Sequence, residues 1–263
     1  MTGRIAAVQC TSVSDPEKNK RALSVLISEA ASQGADLVLL PEMCLSMNSD
    51  YYQELAEDSA TLDWLAAQAA THSLWLVAGA VPQPAPGDDA RVRSASLVFN
   101  PEGELVKRYD KIHLFDVDVG DAQGSYRESD TFSSGSDIVN IETPVGNIGL
   151  TICFDLRFPE QYQALRDAGA DIILVPAAFT HTTGEAHWEI LLKARAIETQ
   201  CYVLAANQCG WHDDKRRTWG HSMIIDPWGE SLGMLHESPG VIVADVDLKV
   251  LEDLRKKMPL TRP

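Results

Sequence analysis

The chain is short of positive charge, of paired cysteines and of long apolar runs, and each shortage removes a class of function. Lysine and arginine total 22 against 38 aspartates and glutamates, a formal net charge of -16 at pH 7. Such a surface repels phosphate backbones and anionic lipid, so neither nucleic acid nor a membrane is expected as a partner. No apolar run reaches the length that spans a bilayer. Strand-like sequence begins at Arg4, which is expected to leave no space for a signal or transit peptide. The five cysteines, Cys10, Cys44, Cys153, Cys201 and Cys209, are odd in number and contain no CxxC pair. Free thiols in a reducing, cytoplasmic compartment are therefore expected, not a disulfide framework. HExxH is missing too, and neither a metal nor any other cofactor is expected.

The rest is ordinary globular material, 45% hydrophobic and 23% charged. A length of 263 residues favours one large domain or two small ones, and no composition break marks a linker. Neither an internal repeat nor a low-complexity tract is visible. Apolar strands read at Arg4–Gln9, Leu37–Leu40, Leu74–Ala80, Ile172–Val175, Tyr202–Ala206 and Val241–Val246. Helical spacing reads from Pro16 to Ser32 behind Asp15, and over Leu62–Thr71, Phe158–Ala168 and His187–Gln200. Hairpins read around Asn100–Gly103, Thr143–Pro144 and Asp226–Gly229, and a short basic tail closes the chain. Mixing βαβ units with hairpins predicts an α/β fold of two mixed sheets packed face to face with helices outside.

In α/β proteins chemistry collects at the carboxyl ends of strands, and three reactive side chains sit at such ends. Glu42 follows the run Leu37–Pro41, where burial would raise its pKa and suit it to act as a base. Lys111 follows Glu104–Asp110; an ammonium there could favour a thiolate or hold an oxyanion. Cys153 lies between an apolar strand and a helix start, as in a nucleophile elbow. Read singly, each has an ordinary explanation: a loop glutamate, a lysine paired with Asp110 or Asp116, a small buried thiol. That explanation suffices for Cys10, Cys201 and Cys209, while Cys44 is expected beside the cleft of Glu42.

Together the segments Leu39–Glu42, Lys111–Phe115 and Gly149–Glu160 resemble the three signature blocks of the nitrilase superfamily of carbon–nitrogen hydrolases. The resemblance runs from Ile5 to about Pro259. It implies a four-layer α-β-β-α sandwich, a single domain over residues 1–263, and a Glu42–Lys111–Cys153 triad. It further implies a second glutamate, matched by Glu128, that orients Lys111 and substrate, with the Phe154 N–H sharing the oxyanion. Phe154 stands where tyrosine is common, and Asn48–Tyr52 departs from the usual pattern. Residues Phe179–Gly229 are similar to the Nit branch and, within it, to deaminated glutathione amidases. That similarity implies hydrolysis of deaminated glutathione to 2-oxoglutarate and cysteinylglycine, and a homodimer, across which the tail Leu248–Pro263 could pack. The alternative substrates are the 2-oxoglutaramate and 2-oxosuccinamate of omega-amidases. Either kind of small amide carries a 2-oxo acid end, for which Arg157 is the expected clamp and Thr183 an added hydroxyl donor.

Other readings are a papain-like enzyme with His113 or His187 as base, a zinc site from His181, His187 and Glu185, and a catalytically silent binding protein of the same fold. Acyl transfer to amines is a further one, but members of that kind usually add membrane spans.

Overall fold

A computed structural model of the chain describes residues 2–121 and 124–260. Two six-stranded sheets dominate it. In the first, the strands run in the order Gly240–Asp247, Thr2–Gln9, Leu37–Leu39, Trp75–Pro84, Val92–Phe99, Leu105–Asp110. In the second, the order is Ser231–Met234, Met223–Ile225, Tyr202–Asn207, Ile172–Ala177, Gly146–Leu150, Asn140–Thr143. Each has three central parallel strands flanked by antiparallel ones, so the two share one pattern of directions without any sequence repeat.

The central strands read as unbroken apolar runs because both of their faces are covered. Ile5, Ala7, Leu37 and Leu39 pack inward against Ile148, Leu150, Ile172 and Leu174 of the other sheet. Their alternates Ala6, Val8, Val38 and Leu40 pack outward on Leu23 and Ile27 of the helix Pro16–Ser32 and on Leu65 and Ala69 of the helix Ser59–His72. Helices Pro159–Asp167 and His181–Thr199 cover the second sheet through Leu165, Trp188 and Leu192. The α-β-β-α layering expected from the sequence is therefore present.

Asp15 caps the first helix as expected, its carboxylate accepting the N–H groups of Glu17 and Lys18. Two expectations need correction. The helix over Thr199 begins at His181 and not at His187, because Thr180 supplies the cap and Gly184 is accommodated within the helix. The segment read only as a short basic tail forms a helix, Leu248–Lys257: Leu251 is buried, and Arg255 bonds Asp171 at 2.9 Å and the carbonyls of Ala170 and Gln200. Thr261–Pro263 lie outside the described residues. Among the described residues no helix is long and apolar enough to cross a membrane.

Candidate active site

The three reactive side chains, more than a hundred positions apart in sequence at the extremes, meet between the sheets. Glu42 is fixed through its backbone: it bridges Ala80 in parallel fashion, and its carbonyl accepts from Gln208 Nε2 at 2.9 Å. Met43 then turns the chain away with φ +57°. Lys111 follows its strand directly; its N–H donates to Ser94 O at 2.9 Å and its carbonyl accepts from Gly135 at 2.7 Å. Only glycine fits at 135, since a Cβ there would lie 2.2 Å from the Asp110 carbonyl oxygen. Cys153 opens a short 3-10 turn, Cys153–Arg157, with φ +47°, a left-handed conformation that costs a non-glycine residue energy and marks a functional elbow.

Lys111 Nζ lies 2.8 Å from Glu42 Oε1 and 2.8 and 2.9 Å from the two oxygens of Glu128. Glu42 Oε2 accepts the N–H of Ala178 at 2.9 Å, and Glu128 Oε2 accepts that of Phe115 at 2.6 Å. The Cys153 thiol lies beside the Glu42 carboxylate and feels its charge. Exposure is 3% for Glu42, 2% for Lys111 and 8% for Cys153, so these interactions act with little solvent screening.

The charges follow from that geometry. Burial pulls against the Lys111 ammonium, but Glu128 and Glu42 outweigh it and hold its pKa well above the ordinary lysine value. Burial, and then the charge of Glu42, pushes the Cys153 thiol well above an ordinary cysteine, with Lys111 opposing. Burial raises Glu128 as well, against the pull of Lys111. Cys153 thus rests as a protonated thiol beside a carboxylate that can take its proton.

A cleft of about 890 Å³, mouth included, opens over the thiol. Arg157, Thr183 and Phe154, the expected binding residues, all line it. Arg157 forms no pair with Asp155 or Glu160; its guanidinium lies 5.8 Å over the Phe154 ring and 5.3 Å over Phe179, with His187 Nδ1 at 3.3 Å. Thr183 shares a 2.8 Å hydroxyl contact with Thr180, the helix cap. The Phe154 N–H sits at the start of the elbow turn, where a helical N–H has no intrahelical acceptor. Met47, Ser49 and Tyr52, from the loop that departs from the family pattern, form part of the wall. Cys44 does not line the cleft as expected; it is fully buried, and its carbonyl accepts from Ser12.

Two further residues were not anticipated. Asp155 is completely buried and accepts from Tyr109 Oη at 2.6 Å, Ile152 N at 2.9 Å, His113 N at 3.0 Å and His113 Nδ1 at 2.8 Å. It thereby ties both neighbours of Lys111 to the cysteine elbow. His113 is committed to that bond and stacks on Phe158 at 3.5 Å, which makes it a scaffold residue and not a base. Arg216 lines the cleft from a hairpin loop whose only sequence signal is a charged run. His181 packs edge-on against Trp219, and among the described residues no group of three His, Cys, Asp or Glu side chains is placed to hold a metal ion.

Two helix-covered sheets that meet at a buried thiol–carboxylate–ammonium cluster define the carbon–nitrogen hydrolase class. Residues 4–256 match the family model for carbon-nitrogen hydrolases, and the chain belongs to that family, which hydrolyses non-peptide C–N bonds of amides. The nitrilase-superfamily resemblance of the three sequence blocks is thereby borne out. The chain is 42% identical to the deaminated glutathione amidase of Yersinia enterocolitica, over 97% of this chain and 91% of that one. The crystal structure of the C. elegans NitFhit protein superimposes with a TM-score of 0.92 at 37% identity, covering 98% of this chain; the chain spans 64% of that longer protein. Saccharomyces cerevisiae Nit3, a member of branch 10 of the nitrilase superfamily, gives a TM-score of 0.88 at 29% identity, with 99% and 96% covered.

Proposed function

We propose that residues 1–263 form one carbon–nitrogen hydrolase domain that cleaves deaminated glutathione to 2-oxoglutarate and cysteinylglycine through a thioester on Cys153. The observation that carries the chemistry is the single cluster in which Lys111 Nζ lies 2.8 Å from both Glu42 and Glu128 while the Cys153 thiol lines the same cleft beside Glu42. Support for the substrate comes from relatives of about this length that bear that name, such as the Yersinia enterocolitica protein at 42% identity.

Glu42 takes the thiol proton as Cys153 attacks the amide carbonyl, so the raised thiol pKa is overcome only when an electrophile is present. The tetrahedral oxyanion lies against the Lys111 ammonium and the Phe154 N–H. Glu42 returns its proton to the departing amine as the C–N bond breaks. Water then loses a proton to Glu42, attacks the thioester, and the released thiolate recovers that proton. Glu128 keeps Lys111 charged and aimed. Arg157, beside the thiol, binds the 2-oxo acid end, with the Thr183 hydroxyl as an added donor. Five free thiols fit a reducing cytoplasm, and a homodimer follows from the family resemblance.

The test compares rates on deaminated glutathione and 2-oxoglutaramate. Preference for the first by an order of magnitude or more supports the substrate. The reverse preference transfers the chain to the omega-amidases and leaves the thioester chemistry standing.

A further inference from the structure

The cleft is cationic although the chain is acidic. Its wall carries four basic side chains, Lys111, Arg127, Arg157 and Arg216, against two carboxylates, Glu42 and Glu128. Lys111 is consumed by those carboxylates, and Arg127 is tied to Asp118 and to the carbonyls of Val117 and Tyr126. Two guanidinium groups remain without a carboxylate partner among the described residues: Arg157 and Arg216.

Their neighbours do not overlap. Arg157 lies with Phe154, Phe179 and His187 and feels the Cys153 sulfur. Arg216 bears on the hydroxyls of Tyr52 and Tyr126, with His212 and Asp213 behind it. The loop that carries Arg216 is held firmly. Asp213 accepts the N–H groups of Lys215 and Arg216 at 2.7 Å each, and the Arg216 carbonyl accepts from His212. His212 is itself fastened between Ser12 O and Thr218 Oγ1, at 2.7 Å each. The adjacent Arg217 is used outside the cleft, paired with Glu237 at 3.0 Å and lying over Trp211. Of two consecutive arginines, one is neutralised at the surface and the other is held, unneutralised, in the cleft wall.

We propose that Arg216 is a specificity-determining residue that binds a carboxylate on the amine, or leaving-group, side of the scissile amide, while Arg157 binds the acid end on the acyl side. This rests on the proposed function. A substrate that splits into two fragments, each with its own carboxylate, satisfies both guanidinium groups. A primary 2-oxo amide, whose leaving group is ammonia, leaves Arg216 unpaired and forfeits that interaction.

The experiment measures kcat/KM on deaminated glutathione and on the same compound with its glycine carboxylate converted to a carboxamide. The wild type, Arg216→Gln and Arg216→Lys are compared. The acid-to-carboxamide ratio is internal to each protein, so a partly folded variant does not distort it. The expected ratio is about tenfold in the wild type, carried mainly by KM, falling to near unity in Arg216→Gln and partly kept in Arg216→Lys. A wild-type ratio near unity, or a ratio unchanged in Arg216→Gln, overturns the assignment while leaving the substrate standing. Failure of the wild type to hydrolyse deaminated glutathione at all overturns both.

Discussion

The four hydrogen bonds that converge on Asp155 make it the sharpest single position at which to perturb the site without touching its reactive groups. Asp155→Asn turns one acceptor oxygen into a donor. Each oxygen faces two donors, Ile152 N–H and Tyr109 O–H on one, the backbone and ring nitrogens of His113 on the other. Whichever way the amide turns, two hydrogen bonds to a buried charge are lost. At about 1.5–3 kcal/mol each, the loss is about 3–6 kcal/mol, and the melting temperature should fall by about 10 °C. Lys111 stands between Tyr109 and His113, so its ammonium moves relative to the elbow, and kcat should fall by about 100-fold with a smaller change in KM. Steady-state kinetics and calorimetry read the two effects. Tyr109→Phe, which removes one of the four bonds and the acceptor of Gln161, should cost about 1–2 kcal/mol and keeps the test usable if Asp155→Asn fails to fold. A melting temperature within about 2 °C of the wild type and kcat within about threefold in Asp155→Asn would refute the reasoning.

Lys111→Met leaves two buried carboxylates facing each other without their cation; kcat should drop by about 1000-fold or more, as steady-state assays would show. Stability should fall as the pH is lowered from about 6.5 to about 4. Burial depresses His212 to about 4, so the folded state stays unprotonated while the unfolded chain binds a proton, a difference of about 3 kcal/mol when complete. Denaturant unfolding across that range should show a flatter profile in His212→Gln. Gly184→Ala places a Cβ 2.2 Å from that of Trp219 and should cost about 1–3 kcal/mol, measured by thermal unfolding.

The parts of this molecule that were legible beforehand share a physical cause. Central strands such as Leu37–Leu39 and Ile172–Ala177 are buried on both faces, so they appear in sequence as plain apolar runs. Glu42, Lys111 and Cys153 stand at strand ends, and their convergence was implied by the resemblance of the segments around them to the nitrilase-superfamily blocks. What escaped notice depends on contacts distant in sequence. Asp155 carries no local signal, because nothing near it in sequence shows that it faces Tyr109 and His113. Arg216 lies in the run Asp213–Arg217, which reads as a solvated turn until the fold carries it to the cleft. The start of the helix His181–Thr199 was hidden by Gly184, which is tolerated there because Trp219 occupies the space a side chain would need. The closing helix Leu248–Lys257 is amphipathic and charged, buries only Leu251, and so resembled a tail.

Acid-quenching the enzyme during turnover of deaminated glutathione and mapping the covalent adduct by mass spectrometry addresses the chemistry most directly. The expected result is a 2-oxoglutaryl mass on the peptide that contains Cys153, absent from Cys153→Ala, which releases no cysteinylglycine. Release of cysteinylglycine by Cys153→Ala, or an acyl mass on Cys10, Cys44, Cys201 or Cys209 in its place, would contradict it.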